Sequence, residues 1–157
     1  MADISLERIH GATPDAVALV TELEAEMAAS YSDEQRHGLS IEKIFQPNIA
    51  FFIAYRSGRA VGCGGIAFDD GFAELKRMYV RPAARGQGIV QAVIARLEAE
   101  AKARGIKRVA LETGDVQHAA IRAYERAGYK RCGAFGDYCA MAPSAVERSV
   151  FLDKTLG

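Results

Sequence analysis

The stretch ELKRMYVRPAARGQGIVQAVIARLEAEAKARG, residues 74–105, decides the fold, because it reads as a strand, a glycine turn and a helix. Residues 75–80 are apolar and aromatic with interposed bases, which is typical of a strand. Pro82 has no N–H to donate and restricts the residue before it, so the strand should end there. From Ile89 apolar residues recur at helical spacing, which predicts a helix that ends at Gly105.

The turn between this strand and this helix has the features of an anion site. In Arg85-Gly86-Gln87-Gly88 two residues lack a Cβ, so the backbone can bend sharply and approach a ligand. The helix start adds free N–H groups and the positive end of the helix dipole. The chain has 20 basic and 20 acidic residues, yet residues 75–97 contain no acid. This local excess of positive charge predicts a ligand that carries phosphate.

Two familiar phosphate-binding motifs fit the turn poorly. A P-loop requires GxxxxGK[ST], and the turn contains no Gly-Lys-Ser/Thr. The dinucleotide fingerprint GxGxxG begins with Gly86 and Gly88, but its third position is Gln91. Glu112 would then serve as the acid that binds the ribose. A partial GxG is a weak signal, so dinucleotide binding remains the lesser alternative.

The remaining pattern, R-x-x-G-x-G/A after a strand and at the start of a helix, resembles the acetyl-CoA site of the GNAT family of N-acetyltransferases. Residues 85–89 fit it, whereas Val90 stands where the family usually has Gly or Ala. Residues 72–75, Phe-Ala-Glu-Leu, look like the strand that carries the catalytic glutamate in histone-type members. Residues 117–129 extend the resemblance through the second half of the chain.

The whole chain is expected to form a single α/β N-acetyltransferase domain over residues 1–157, with a mixed central sheet and helices on both faces. The predicted element order is β-α-α-β-β-β-α-β-α-β-β. Thr13 and Pro14 should open the first helix. A short second helix is expected around residues 41–45, and Asp115 should cap the last helix. The strands are expected at residues 4–9, 49–55, 60–68, 75–80, 109–113, 129–132 and 146–152.

The resemblance also implies how acetyl-CoA is held. The central strand bulges and separates from the next one, and its backbone binds the pantetheine arm and polarises the thioester carbonyl. Gln117 stands where the family often has an Asn that contacts CoA. Tyr124 lies in AIRAYERAGY, which looks like the family segment AxxLYxxxGF, whose tyrosine protonates the departing thiolate. The implied cofactor-binding residues are Met78, Tyr79, Val80, Arg85, Gly86, Gln87, Gly88, Ile89, Val90, Gln117 and Tyr124.

Catalysis would also need a base, because a lysine-like amine with a pKa of about 10.4 is mostly charged at neutral pH. Glu74 is the candidate, so the predicted catalytic pair is Glu74 and Tyr124. The alternatives are that Glu74 only pairs with Lys76 and that Tyr124 is a core aromatic. His37 and His118 are weaker candidates for the base, since a lone His in a polar segment is usually solvated.

The predicted reaction is acetyl-CoA-dependent transfer of an acetyl group to a primary amine by direct attack in a ternary complex. A non-catalytic acyl-CoA-binding module of the same fold is the alternative, and Val90 keeps it open. Gly62, Gly64 and Gly65 indicate a bulge, tight packing, or room for an acceptor or a longer acyl group. By the resemblance, residues 30–47 line the acceptor site. The acceptor itself, a small molecule or a peptide amine, stays open.

Composition limits the other possibilities. The first ten residues contain acids and no apolar core, so no signal peptide is expected, and a cytoplasmic location follows. The three cysteines, Cys63, Cys132 and Cys139, have no metal-binding spacing and should be free thiols. A formal net charge of +0 argues against nucleic acid as a partner. The longest apolar run, residues 49–55, is too short to span a bilayer. The family resemblance adds a possible homodimer.

Overall fold

Seven strands form one mixed sheet in the computed structural model, which describes residues 3–157. In chain order they are β1 (Ile4–Ile9), β2 (Ile49–Arg56), β3 (Arg59–Phe68), β4 (Ala73–Val80), β5 (Arg108–Gly114), β6 (Lys130–Arg131) and β7 (Ser149–Thr155). Their order across the sheet is β1-β2-β3-β4-β5-β7-β6. The β4–β5 pair is parallel and the other pairs are antiparallel, which confirms the predicted mixed sheet.

Helices cover both faces of the sheet, as predicted. They are α1 (Pro14–Ala28), α2 (Ile89–Ala103), α3 (His118–Arg126) and the short α4 (Pro143–Val146). Successive residues of a strand point to opposite faces. Accordingly, Phe51 packs with α1 in one core, whereas Phe52 packs with α2 and α3 in the other. Among residues 3–157, no helix combines the length and apolar character needed to cross a membrane.

One predicted helix cap is confirmed and another is wrong. The Thr13 hydroxyl accepts a hydrogen bond from the Ala16 N–H at 3.2 Å, so Thr13 caps α1 as expected. At α3 the N-cap is Gln117, and its side chain makes no capping bond. Asp115 instead pairs with Arg148 at 3.0 Å. The carboxylate of Asp115, which the sequence predicted as a helix cap, therefore binds Arg148 instead.

The predicted second helix is also wrong. Residues 41–45 form turns, and the nearest helical segment is a single 3₁₀ turn at Asp33–Gln35. Ile44 is buried against α1, with Ile41 and Phe45 packed on the same core. Apolar spacing reports which side chains are buried, but it does not show whether the backbone is regular. These apolar residues anchor a loop to α1.

The central strand bulges at Arg77, whose backbone φ is +53°. The register with β3 shifts there, so that Arg77 and Met78 lie opposite Gly64. A Cβ on Gly64 would approach the sulfur of Met78 to 2.5 Å and a methyl of Val93 to 2.6 Å. A Cβ on Gly62 would lie 2.7 Å from a main-chain oxygen of β4. These glycines therefore permit close packing of β3 against β4 and α2.

Strands β4 and β5 separate soon after they meet. In the described part of the chain, their ladder consists of two pairs, Ala73 with Val109 and Glu74 with Ala110. Beyond Glu74 the main chain of β4 has no β5 partner. The bulge and this separation match what the family resemblance implies for the central strand, and they open a gap in the middle of the sheet.

Candidate active site

A cleft of about 850 Å³ opens where β4 and β5 separate. Its walls come from α1, the loop that follows α1, β4, the glycine turn, the end of β5, and α3. The predicted site residues that line it are Glu74, Met78, Tyr79, Val80, Arg85, Gly86, Gly88, Ile89, Val90, Gln117 and Tyr124. Gln87 is outside the lining, and its side-chain amide donates to the Ala83 carbonyl at 3.3 Å. Within the described residues, the lining does not include the three glycines of β3.

The glycine turn forms one end of the cleft, which we call the turn end (residues 85–90). Gly86 and Gly88 have φ values of +76° and +84°, which L side chains rarely adopt. A Cβ built on either glycine would meet no heavy atom of the described chain within 4 Å. Gly88 is the N-cap of α2 and supplies no side-chain capping bond, so the first N–H groups of α2 remain available. The turn end therefore fits a diphosphate.

The positive charge of the basic segment is largely cancelled by acidic residues elsewhere in the fold. Acids on α1, more than fifty positions earlier in the chain, pair with three of its arginines, and a fourth base pairs within β4. The pairs are Arg77–Glu24, Arg81–Glu22, Arg85–Glu26 and Lys76–Glu74. Counting charges along the sequence missed these partners. What remains available to a phosphate is mainly the backbone of the turn and the start of α2.

Tyr124 stands on α3 and meets the cleft from the α2 side of the sheet. Its ring packs edge-to-face on Tyr129, with the ring centroids 6.1 Å apart, so it is both a core aromatic and a cleft residue. Burial raises the pKa of Tyr124 well above its ordinary value, and the negative charge of Glu112 raises it further. The phenol therefore keeps its proton at neutral pH and can donate it.

Glu74 lies on the α1 side of the sheet and is already held by two neighbours. Its Oε2 accepts a hydrogen bond from the Tyr138 hydroxyl at 2.6 Å and lies 3.1 Å from Nζ of Lys76. The Lys76 pair is the arrangement that the sequence offered as the alternative to a catalytic base. Glu74 nevertheless lines the cleft, and its role as a base stays a prediction.

A second carboxylate, Glu112, also lines the cleft. From the sequence, Glu112 was a candidate only as the ribose ligand of the dinucleotide-binding alternative. Its Oε2 accepts a hydrogen bond from the Ser149 hydroxyl at 2.6 Å. Burial is the largest influence on the pKa of Glu112 and raises it, while the Ser149 hydrogen bond acts in the opposite direction. Ala110 is the register partner of Glu74. Glu112 lies two residues after Ala110 on the same strand, so Glu112 and Glu74 point to the same face of the sheet. The proximity of Glu112 to Glu74 follows from the register of β4 and β5, which the sequence alone does not give.

The loop after α1 contributes residues that had little signal in the sequence. The Tyr31 hydroxyl donates to Asp115 at 3.3 Å and accepts from the Val116 N–H at 3.1 Å, which ties this loop to the start of α3. His37 lies edge-to-face with Tyr138 and within 2.7 Å of the Ala145 carbonyl oxygen. Both Tyr31 and His37 line the cleft, as does His118.

The cysteines are free thiols, as predicted. Cys63 is buried beneath the bulge, where its Sγ lies 3.3 Å from the Arg77 carbonyl oxygen. Burial raises the pKa of Cys63 to about 12. It is therefore a thiol at neutral pH, and a thiol is a poor nucleophile. This disfavours an acyl-enzyme on Cys63.

A sheet that separates beside a glycine turn, with a tyrosine lining the gap, is the arrangement that the family resemblance implies for an acyl-CoA-dependent acyltransferase. The model of the Acetyltransferase (GNAT) family matches residues 17–129. An IAA acetyltransferase of Azospirillum brasilense is 37% identical over 99% of this chain and 100% of its own length. The chain therefore belongs to the GNAT family of acetyltransferases, whose co-substrate is acetyl-CoA.

Solved structures agree with this assignment. A Klebsiella pneumoniae protein assigned to the acyl-CoA N-acyltransferases has a TM-score of 0.82 and 33% identity, with 98% of each chain covered. The PaiA N-acetyltransferase of Thermoplasma acidophilum, solved with coenzyme A, has a TM-score of 0.71 and 20% identity, with 96% of this chain and 99% of that chain covered. The second likeness shows the shared fold. The predicted family, fold class and enzyme class are confirmed.

Proposed function

We propose that the protein transfers the acetyl group of acetyl-CoA to a primary amine by direct attack within a ternary complex. The observation that carries the proposal is that the turn end, the part of β4 that has no β5 partner and Tyr124 all line one cleft. A thioester bound along β4 and an amine entering beside Glu74 would share that space. Positioning of the two reactants then supplies much of the rate enhancement.

Binding of the co-substrate is assigned to backbone groups. The N–H groups of residues 86–90, with the dipole of α2, would hold the pyrophosphate. The main chain of residues 78–80 has no β5 partner, so it could bond the pantetheine amides as an added strand would. The Val80 carbonyl, which accepts from Nε of Arg85 at 2.9 Å, would have to exchange that partner for the ligand. Arg85 and the amide side chain of Gln117 complete this set of contacts. Acetyl-CoA supplies the activated acetyl thioester.

Proton transfers are assigned to side chains. The amine nitrogen bonds to the acetyl carbon while the carbon–sulfur bond breaks. Glu74 accepts the proton that the amine loses, and the Tyr124 hydroxyl gives its proton to the departing sulfur. Tyr124 carries its proton at neutral pH and is therefore available as the donor, although burial raises its pKa and makes it a weaker acid than an exposed tyrosine. The proton balance is then restored through solvent at the mouth of the cleft. Homodimerisation and a cytoplasmic location stay predictions.

Initial-rate kinetics test direct attack. Acetyl-CoA and a panel of primary amines are varied together while the free thiol released is measured. Intersecting double-reciprocal lines are expected, since both substrates must be bound before any product leaves. Parallel lines would indicate an acyl-enzyme and would overturn the direct-attack proposal.

The pH–rate profile tests the base. Glu74→Gln should lower the rate most at neutral pH and recover in alkali, where the amine loses its proton unaided. Lys76→Met is the matched control, because it breaks the same ion pair but keeps the carboxylate. An unchanged profile in Glu74→Gln, or the same altered profile in both variants, would assign Glu74 to structure.

A further inference from the structure

Where β4 faces α1 and the loop after α1, the cleft wall contains two arginines that share one carboxylate. Glu24 contacts Nη2 of Arg77 through one oxygen and lies 3.4 Å from Nη1 of Arg36 through the other. All three residues line the cleft. Asp33 also contacts Arg36, but the Asp33 side chain is 95% exposed and its charge is screened by water. The cleft wall thus carries more positive than negative charge.

Both arginines also have hydrogen-bonding capacity that the protein does not use. Among the described residues, Nε of Arg36 and Nε of Arg77 are buried without a hydrogen-bond partner. Leaving such a donor buried and unpaired is destabilising, so each unpaired donor needs an explanation. An anion bound within reach of these two guanidinium groups would supply one.

Arg77 is fixed in place by the fold. It occupies the bulge of β4 at a φ of +53°, and its side chain is only 5% exposed. Its guanidinium packs so closely on Gly38 that a Cβ there would overlap it. A buried guanidinium with a fixed orientation is suited to a planar anion such as a carboxylate, which it can bind through two parallel hydrogen bonds.

The opposite sign of charge lies across the same cleft. Glu74 and Glu112 occupy neighbouring strands on one sheet face and line the cleft, and Lys76 offsets part of their charge. A bound amine is favoured beside carboxylates, and a bound carboxylate is favoured beside Arg36 and Arg77. The two groups of charges therefore match the two ends of a zwitterion.

We propose that the acceptor is a small primary amine that also carries a carboxylate, as an amino acid does. Arg77 and Arg36 bind its carboxylate, and Glu74 and Glu112 face its amine. This inference rests on the proposed acetylation of amines and adds the chemical class of the acceptor.

Matched acceptors test the inference. Each amino acid in a panel is compared with its own carboxamide, which has nearly the same shape but lacks the negative charge. The ammonium group of a carboxamide loses its proton more easily than that of the amino acid. Amine ionisation alone would therefore make the carboxamide the faster substrate. We expect kcat/KM to be about 10–10²-fold higher for the acids, the range of a charge-assisted hydrogen bond.

Variants on the two sides of the ion-pair network should act in opposite directions. Arg77→Met and Arg36→Met should raise KM for the acids and abolish the preference for acid over amide. Glu24→Gln removes the competing carboxylate and should lower KM for the acids, leaving the preference larger. Since misfolding cannot improve binding, Glu24→Gln keeps the test decisive even if Arg77→Met fails to fold. Titration calorimetry with CoA reports whether each variant is folded.

The outcomes separate this inference from the proposed function. Equal kcat/KM for acids and carboxamides, or turnover of carboxylate-free amines alone, overturns the carboxylate-bearing acceptor and leaves N-acetylation standing. A preference for acids that survives both arginine variants also overturns it. If CoA binds but no amine of either kind is acetylated, the proposed function fails and the inference fails with it.

Discussion

The two ends of the cleft are built in different ways. The turn end comes from six consecutive residues, 85–90, and acts through its main chain. The proposed acceptor end comprises Glu24, Arg36, Arg77, Glu74 and Glu112, all of which line the cleft. It brings together α1, a loop and two strands, and would act through side chains. A backbone site is specified by a few glycines, whereas a side-chain site depends on how distant elements pack. The difference explains why the cofactor could be inferred before the acceptor.

The largest effect should follow from placing a carboxylate at the turn end. In Gly88→Asp the new charge faces the bound phosphates, and like charges 4 Å apart repel by about 4 kcal/mol at an effective dielectric constant of 20. CoA affinity, measured by titration calorimetry, should fall by about 10³-fold. Gly71→Asp is the control, because Gly71 has a φ of +82°, lies in equally open space and is outside the cleft lining. If Gly88→Asp and Gly71→Asp bind CoA with equal affinity, the turn does not bind the phosphates of CoA.

A smaller effect, confined to chemistry, should follow at the centre of the cleft. Tyr124→Phe removes the donated proton but keeps the ring, so turnover should fall by about 10–10³-fold while CoA affinity stays nearly constant. Tyr129→Phe is the control in the same aromatic pair, since it loses a 2.9 Å hydrogen bond to Glu98 without touching the cleft. If Tyr124→Phe lowers thermal stability and CoA affinity but spares turnover at saturation, Tyr124 serves only as a core aromatic and is not the proton donor.

Replacing Val90 should matter little, because the turn end uses the N–H that valine retains. Val90→Gly should change CoA affinity by less than about tenfold, or about 1.4 kcal/mol, with a helix cost of about 1 kcal/mol or less. Ala95→Gly, at an exposed position of α2 outside the cleft lining, reports the cost of a glycine in the same helix. A much larger gain for Val90→Gly alone would mean that the valine side chain blocks the site, as expected for a module that has lost turnover.

The smallest effect concerns stability at the acceptor end. Burial raises the pKa of Glu112 in the folded protein, so folding favours its protonated form. The stability that this carboxyl contributes is therefore present below its unfolded pKa and is lost as pH rises through its folded pKa. Glu112→Gln stays neutral and keeps an acceptor for the Ser149 hydroxyl. Its melting temperature should exceed that of the wild type by a few degrees at most, since about 1 kcal/mol shifts a domain of this size by about 2–4 °C.

The gain in melting temperature of Glu112→Gln over the wild type should depend on pH. The difference in melting temperature should be small near pH 4 and should grow as pH rises through the folded pKa of Glu112. Glu125→Gln on the exposed surface of α3 is the control and should show no such growth. A constant difference across the pH range would mean that Glu112 is not desolvated in solution.

The sequence predicted the parts of the fold that depend on local chemistry. Thr13 before a proline, glycines at the turn and apolar spacing along α2 each identify a structure within a few residues. It failed where distant groups compete, as when Arg148 takes Asp115 from its helix and α1 neutralises the basic segment. Residues 41–45 failed differently, because their apolar side chains are buried in a non-helical loop.

The residues of the candidate site also fall into those that a local sequence pattern predicts and those that only the fold brings together. Residues of the turn and of β4 could be assigned from a contiguous pattern, whereas Glu112 and Arg36 carry no pattern of their own. Arg77 was visible only as one of several bases, since neither its bulge nor its pairing with Glu24 can be read from neighbouring residues. Their roles emerge only from the strand register and from the packing of α1 on the sheet.

The gap between β4 and β5 has a thermodynamic consequence. Two residue pairs join the half of the sheet that contains β1–β4 to the half that contains β5–β7, so a ligand bonded to β4 would act as a staple between them. A ligand that binds only the folded state adds about 2.7 kcal/mol of stability at a concentration a hundredfold above its Kd. The lifetime of this protein should therefore follow the supply of its co-substrate, and a shortage of acetyl-CoA would reduce the amount of enzyme as well as its turnover.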